Sequence, residues 1–200
     1  MMTKIVCPFV KVNNLIVDLQ VHNPKTYPCP LVAHSVKRRY GEPFLMPEAL
    51  VRPGEFVIQN CVFRAGQNIE TEKKFMRAGP RATQYFDPKT VRADIVCLGK
   101  VCPGINNIIR ELVILLKETY RVESVTGIKF SFKGYYDSNM VDLTPQIVET
   151  IHHKGGSFLG VSRGPFHKER IVDSLVARGV NQLYLIGGND TIRHTIELYK

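Results

Sequence analysis

The sequence has no long hydrophobic run, few cysteines and none of the common glycine-rich nucleotide motifs. No apolar segment of the 200 residues approaches the roughly 20 that a transmembrane helix needs, so we expect no membrane span. Residues 1–8 show no small-residue cleavage site, so we expect no signal peptide. The 5 cysteines form no CxxC pair and no zinc-ligand spacing, which favours reduced thiols in the cytoplasm and no structural zinc. GxxxxGK[ST] and GxGxxG are both missing, which excludes a Walker A loop and counts against a dinucleotide site.

The charge that is present is unevenly distributed. The net charge is +9, and residues 1–93 hold 14 Lys and Arg against 7 Asp and Glu, whereas residues 94–200 hold 13 against 11. A basic region indicates either an anionic partner or a solvated surface. No recognised nucleic-acid-reading motif accompanies the charge, so we predict no nucleic-acid partner.

The first half of the chain reads as irregular. Residues 1–93 contain 9 of the 12 prolines, which interrupt nearly every candidate element. Residues 10–21 could form a strand or a short helix, and the β-branched and aromatic content of residues 55–63 predicts a strand. We therefore interpret residues 1–93 as an irregular N-terminal extension.

The second half alternates between strand and helix patterns. Short apolar runs predict strands over 94–98, 124–128, 157–161 and 182–186. Helical spacing and capping residues predict helices over 105–116, 144–152 and 168–178, and a last helix from about 191. This order predicts an α/β domain over 94–200, with a parallel sheet, right-handed crossovers and flanking helices.

Three of the predicted strands end in segments that could carry chemistry. They are residues 98–106, 161–164 and 186–191, and ligands bind at the carboxyl ends of strands in open parallel sheets. The glycines could bring backbone N–H groups to an anion, or merely permit tight turns. Arg163 could bind phosphate or form a surface ion pair. Asp190 could hold a divalent metal or cap a helix.

Aromatic and histidine side chains near these segments have two readings. Phe130, Phe132, Tyr135 and Tyr136 could stack on a base, although packing in a core or loop is the commoner role. The His152–His153 pair follows an apolar helix face, which indicates a helix end rather than a ligand pair.

Four segments carry a specific combination of motifs. Residues 25–31 resemble a TYPNPL segment, and residues 77–86 resemble RAGPR followed by YF. Residues 155–164 resemble GGSxLGxSRG, and residues 171–174 match IVDS. Together these motifs resemble the 6-phosphofructokinase family, in particular its plant-type ATP-dependent enzymes. The resemblance implies a phosphofructokinase-like fold and phosphoryl transfer from ATP to the 1-hydroxyl of fructose 6-phosphate, with Mg²⁺, in glycolysis.

The resemblance also assigns site residues. The family's GGLCPG loop falls on residues 99–104, its SRG arginine on Arg163, and its GGDGT segment on residues 187–191. The implied nucleotide- and phosphate-binding residues are Gly99, Lys100, Arg163, Gly164, Gly187, Gly188, Asn189, Asp190 and Thr191. The implied metal-binding residues are Asn189 and Asp190.

The chain departs from the family motifs at several of these positions. Lys100 replaces a glycine and could either obstruct the phosphate loop or bind phosphate. Residues 131–135, SFKGY, stand where the family has GYRGF, so that Phe132 replaces a tyrosine expected near the nucleotide. Asp190 stands at a glycine position where an aspartate accompanies pyrophosphate use in this family. His194 replaces a small residue.

The segment PKTIDND, which carries the family's catalytic base, does not occur in these residues, and neither does the sugar-binding half. The resemblance therefore assigns no catalytic residue here. We expect a nucleotide-binding part that is inactive alone and that binds fructose 6-phosphate only when completed by other chains. We also expect a homo- or hetero-oligomer. The alternative is a non-catalytic regulatory or remnant subunit that associates with full-length phosphofructokinase.

Overall fold

The computed structural model describes residues 25–30, 50–52, 54–58, 62, 65–66, 74–77 and 79–199. The chain divides into two compact units, Pro8–Phe86 and a unit that contains Asp87–Lys200. The predicted element over residues 10–21 lies outside the described residues. No helix in the described part of the chain is long and apolar enough to cross a membrane.

The unit Pro8–Phe86 shows two short antiparallel ladders among its described residues. Strand β1 (Tyr27–Pro28) pairs with β4 (Thr83–Gln84), and β2 (Phe56–Ile58) pairs with β3 (Lys74–Met76). Of the strand predicted over 55–63, residues 56–58 are confirmed. About half of the Phe56 and Val57 side chains is exposed, so this ladder buries little apolar surface.

The second unit is built on a four-stranded sheet with the order β7-β6-β5-β8. Strands β5 (Arg92–Cys97), β6 (Ser124–Ile128) and β8 (Gln182–Ile186) run parallel, which confirms three predicted strands. The sequence did not predict β7 (Met140–Asp142), a three-residue strand that pairs antiparallel to β6 and makes the sheet mixed. Residues Ala93 to Cys97 of the central strand β5 are all buried, as expected for a strand covered on both faces.

Helices flank this sheet. They are α1 (Ile105–Ile114, continued by a π-helical turn over Leu115–Thr119), α2 (Lys133–Tyr136), α3 (Pro145–Val148), α4 (Lys168–Ala177) and α5 (Asn189–Tyr199). Short 3₁₀ turns lie over Pro88–Thr90 and Ile151–His153. The predicted flanking helices are therefore present, and the fold class is confirmed.

Two predicted elements differ in detail. The hydroxyl of Thr144 accepts a hydrogen bond from Ile147 N (3.3 Å), as predicted for an N-cap, but α3 ends at Val148. Thr150 interrupts the helix with φ −113° and ψ 3°, and Ile151–His153 forms a separate 3₁₀ turn. A single helix over 144–152 is therefore wrong, although His152 does lie near a helix end as predicted.

The strand predicted over residues 157–161 is wrong. This run forms no strand ladder, because Gly160 has φ 71° and its N–H bonds back to Ser157 O at 3.0 Å. The run packs as a loop instead, with Leu159 fully buried. The Leu159 carbonyl accepts a hydrogen bond from Phe130 N at 2.9 Å.

The amino-terminal half of β5 holds a buried charge. Asp94 is only 1% exposed and accepts hydrogen bonds from Tyr135 Oη (2.9 Å) and Arg178 Nη1 (3.1 Å). A second, shorter contact joins Arg178 Nη2 to the same carboxylate. The charge is thus paired and hydrogen-bonded, as a buried carboxylate must be.

Candidate functional site

The carboxyl ends of β5 and β8 lie side by side. In their parallel register Cys97 stands opposite Ile186, and Leu98 N donates to Ile186 O at 2.8 Å. The first and third candidate segments therefore leave the sheet next to each other, at the edge where open parallel sheets bind ligands.

The first segment turns from β5 into α1 through glycine. Gly99 and Gly104 both have φ 82°, a conformation that residues with a side chain rarely adopt. Gly104 is the N-cap of α1, and no side chain caps that helix end. Its first N–H groups and the positive end of the helix dipole therefore form the type of environment that favours an anion.

Lys100 does not strain this segment. It is exposed and does not belong to the non-glycine residues with positive φ, so a lysine fits the backbone here as well as glycine would. Its carbonyl accepts from Cys102 Sγ at 3.5 Å, and its ammonium group adds a positive charge beside the loop. The backbone conformation at position 100 therefore does not require the glycine that Lys100 replaces.

The third segment is packed too tightly for any residue but glycine at its start. A Cβ on Gly187 would overlap Thr191 Oγ1 and lie 2.8 Å from the Leu98 carbonyl oxygen, whereas Gly188 has open space around it. Thr191 is 5% exposed, and its hydroxyl has no hydrogen-bond partner in the described part of the chain. This close approach holds the third segment against the first.

Asp190 is not the helix cap that the sequence allowed. It is the second residue of α5, and its exposed carboxylate accepts from Arg193 Nη2 at 2.5 Å. Asn189, the first residue of α5, is exposed as well. A carboxylate in the first helical turn is stabilised by the helix dipole.

The second segment, residues 161–164, is fastened to the end of β5 by a serine that sequence analysis did not single out. Ser131 Oγ donates to Cys97 O (2.7 Å) and accepts from Ser162 N (2.9 Å). Ser162 Oγ in turn accepts from Gly164 N at 3.2 Å. Arg163, between Ser162 and Gly164, is exposed. It forms no ion pair within the described residues, so the surface ion pair that the sequence allowed is not found there.

Two departures from the family motifs pack against each other. Phe132 is 3% exposed, and its ring lies 5.4 Å from that of Phe166 and 5.7 Å from that of His194. His194 stacks on Phe166 at 4.6 Å. Phe132 is therefore a core residue and not a base-stacking one. Its ring, which lacks the hydroxyl of the family's tyrosine, packs in an aromatic cluster that includes His194.

A second buried polar residue was also missed. The side chain of Asn106 donates to Ile151 O (3.1 Å) and Lys154 O (3.0 Å) and accepts from Phe158 N (2.8 Å). It thus anchors the loop around residues 154–158 to the start of α1. A cavity of about 360 Å³ beside it is lined by residues 101–107, His152 and residues 154–156, and none of the assigned phosphate-binding residues lines it.

The described residues contain no group of three or more His, Cys, Asp or Glu that could hold a metal alone. Mg²⁺ usually keeps water and binds through one or two carboxylates plus substrate phosphates. Asn189 and Asp190 offer oxygen atoms of the required kind at the start of α5, so the residues present fit that mode of binding.

Glycine turns, an uncapped helix start and unpaired cations at the carboxyl ends of parallel strands are features typical of α/β proteins that bind phosphate. The family model "Phosphofructokinase" matches residues 92–200, which is more than half of the chain. The chain belongs to the phosphofructokinase family, as its motifs predicted.

Curated relatives agree with this assignment. ATP-dependent 6-phosphofructokinase 2 of Arabidopsis thaliana is 38% identical over 150 residues, covering 75% of this chain and 34% of the relative. The chloroplastic ATP-dependent 6-phosphofructokinase 4 of the same plant is 40% identical over 156 residues, covering 78% and 29%. The ATP-dependent 6-phosphofructokinase of Amycolatopsis methanolica is 41% identical over 121 residues, covering 60% and 26%. The chain thus spans about a third or less of the length of these relatives.

The fold is shared with a solved structure. A pyrophosphate-dependent phosphofructokinase from Marinobacter aquaeolei superposes with a TM-score of 0.50 at 16% identity, over 54% of this chain and 29% of the other. The likeness to plant enzymes and the phosphofructokinase-like fold, both predicted from sequence, are confirmed.

Proposed function

We propose that this chain provides the phosphoryl-donor site of a 6-phosphofructokinase, which transfers a phosphoryl group from ATP to fructose 6-phosphate in glycolysis. The observation that carries the proposal is the meeting of three glycine-containing segments at the carboxyl end of β5, in a chain of this family.

Each segment has a distinct role in holding the donor's phosphates. The Gly99–Gly104 turn and the start of α1 present backbone N–H groups, and Lys100 and Arg163 supply positive charge. Gly187, Gly188 and Thr191 form a second wall, with the Thr191 hydroxyl available as a hydrogen-bond partner. In phosphoryl transfer the protein acts mainly by positioning the groups and offsetting their charge, which is what these residues can do.

Magnesium would bind between the donor's phosphates and the side chains of Asn189 and Asp190. Bound there, Mg²⁺ would supply positive charge that offsets the negative charge of the donor's phosphates. Arg193 holds the Asp190 carboxylate at 2.5 Å and so competes with the ion for it. We therefore infer that the phosphates contribute most of the metal's ligands.

The same ion pair bears on the choice of donor. A bare carboxylate at position 190 would repel the α-phosphate of ATP, but the Arg193 guanidinium offsets that charge. This pairing supports ATP as the donor, with pyrophosphate as the competing donor to be tested beside it.

Turnover requires groups that the assigned residues do not include. No side chain among them acts as the base that accepts the proton of the sugar hydroxyl. We propose that the 200 residues alone bind a donor without turnover and form a homo- or hetero-oligomer in the cytoplasm. Only other chains that carry the missing base would complete the fructose 6-phosphate site.

Ligand-induced thermal stabilisation tests the donor site. A donor at a hundred times its Kd adds about 2.7 kcal/mol to the stability of the folded chain. We expect stabilisation by Mg-ATP that is weakened in Lys100→Ala and in Arg163→Ala. Lys89→Ala is the matched control, because Lys89 is also exposed but lies in the 3₁₀ turn before β5.

If Mg-pyrophosphate stabilises the chain and Mg-ATP does not, the donor is pyrophosphate and the proposed donor site still stands. If a folded chain responds to neither donor, or if Lys89→Ala weakens binding as much as Arg163→Ala, the proposal is wrong. The first of those results would favour a non-catalytic subunit.

A further inference from the structure

The turn after β6 adopts a conformation that its residues disfavour. Phe130 and Ser131 follow each other with φ 56° and 61°, in the left-handed region where side chains clash with the backbone. Such strain persists only where surrounding interactions hold the chain in place, and it concentrates at functional sites. Here the holding interactions can be named.

Both residues are bonded to the segment that leads to Arg163. Phe130 N donates to Leu159 O at 2.9 Å, and Ser131 Oγ accepts from Ser162 N at 2.9 Å. The Ser131 hydroxyl uses its proton on Cys97 O at 2.7 Å. Ser131, which is 2% exposed, therefore joins through its hydroxyl the last residue of β5 to Ser162 in the 161–164 segment.

We propose that Ser131 is a positioning residue for the phosphoryl donor, an inference that rests on the function proposed above. It touches no donor itself, since it is buried. It fixes Ser162, whose own hydroxyl accepts from Gly164 N, and so sets where Arg163 leaves the chain relative to the Gly99–Gly104 turn. A glycine, as in the motif GYRGF, would adopt this φ without strain but would lack the tether.

The proposal separates two properties of one residue, its backbone conformation and its hydroxyl. Ser131→Gly relieves the left-handed strain and removes the hydroxyl, whereas Ser131→Ala keeps the strain and removes the hydroxyl. Ser131→Thr keeps the hydroxyl and increases the strain, because a β-branched residue tolerates this region poorly. Ser138→Gly is the matched control, since Ser138 is also a serine with positive φ (53°) but is exposed and lies in the α2–β7 turn.

Two readouts are measured on each variant. Amide hydrogen exchange over residues 160–164 without ligand reports the tether, and titration with Mg-ATP and with Mg-pyrophosphate reports donor affinity. We expect faster exchange of Ser162 N–H in Ser131→Ala and Ser131→Gly. We also expect roughly fivefold weaker donor binding in both, the loss typical of one hydrogen bond. Ser138→Gly should change neither readout.

The thermal stability of the variants distinguishes positioning from mere support of the fold. Ser131→Gly should be more stable than Ser131→Ala yet bind the donor equally weakly. Ser131→Thr should bind better than either, even where it is less stable. A purely structural role would instead make affinity follow stability.

Unchanged exchange in both Ser131→Ala and Ser131→Gly would overturn the tether. Faster exchange with wild-type affinity would overturn the positioning role. Faster exchange in a chain whose wild type binds neither donor would refute the proposed function and, with it, the role in donor binding, while leaving the tether established.

Discussion

The two ends of the same central strand, β5, treat charge in opposite ways. At the amino end Asp94 is buried and satisfied by Arg178 and Tyr135. At the carboxyl end Lys100 and Arg163 are exposed and form no ion pair within the described residues. At the amino end, which we call the closed end, the paired network stabilises the fold. At the carboxyl end, which we call the open end, unpaired cations beside glycine turns are available to a ligand. Charge alone therefore does not indicate a binding site, and the site is inferred here because unpaired cations coincide with glycine turns.

The largest expected effect is at the closed end. Asp94→Ala leaves the Arg178 guanidinium without its partner, and breaking a buried pair from one side costs about 3–5 kcal/mol. Asp190→Ala, which breaks an exposed pair, should cost less than about 1 kcal/mol. Urea unfolding of both variants measures the difference, and equal losses would show that the Asp94 network is not closed.

The second-largest expected effect is a difference in unfolding free energy between variants of two adjacent glycines at the open end, Gly187 and Gly188. Gly187→Ala places a methyl group against Thr191 and the Leu98 carbonyl, and overpacking of this kind costs about 1–3 kcal/mol. Gly188→Ala meets open space, so its unfolding free energy should stay within about 0.5 kcal/mol of wild type. Since we propose that a phosphate of the donor lies in the open space at Gly188, Gly188→Ala should weaken donor binding without loss of stability. Equal stability of the two variants would contradict the packing described.

The closed end also predicts an alkaline loss of stability. Burial, followed by the neighbouring Asp94 carboxylate, raises the pKa of Tyr135 well above its ordinary value. The unfolded chain ionises this phenol from about pH 10, whereas the folded chain keeps it neutral, so stability falls as pH rises above about 10. Tyr135→Phe should make that decline shallower and cost about 1 kcal/mol at pH 7. Tyr199→Phe, with an exposed ring, is the control, and a slope unchanged by Tyr135→Phe would be inconsistent with a buried phenol.

The smallest effect is a difference between two cysteines of known burial. Burial raises the pKa of Cys97 to about 12, so this thiol stays protonated and resists alkylation at pH 8. Cys102 lies exposed in the first segment and should be alkylated first. Mass mapping of iodoacetamide-treated chain measures both sites. Bound Mg-ATP should slow modification of Cys102, and rapid labelling of Cys97 would be incompatible with the buried β5.

The sequence predicted the parts of this fold that depend on local patterns. Strands β6 and β8 were predicted at their observed bounds because their apolar runs are short and end in turn residues. Residues 157–161 were mistaken for a strand because an apolar run buried under a loop has the same composition as one in a sheet. Strand β7 was missed because three residues of a short edge strand carry no periodicity.

The site was predictable in its loops but not in what holds them together. Glycines after strands are visible in sequence, and family motifs reinforced them. The role of Ser131 was not visible, because its two partners lie 34 and 31 residues away and meet it only in the folded chain. The partnership of Phe132 with His194 is likewise a property of packing, although each residue alone stood out as a departure.

The central claim is that the open, carboxyl end of β5 binds the phosphoryl donor and the closed end does not. Amide chemical shifts of the labelled chain, followed during titration with Mg-ATP and separately with Mg-pyrophosphate, test this residue by residue. We predict saturable shifts in residues 99–104, 162–164 and 187–191. Shifts concentrated around Arg92, Asp94 and Arg178, where a cavity of about 210 Å³ opens at the other end of the sheet, would contradict it.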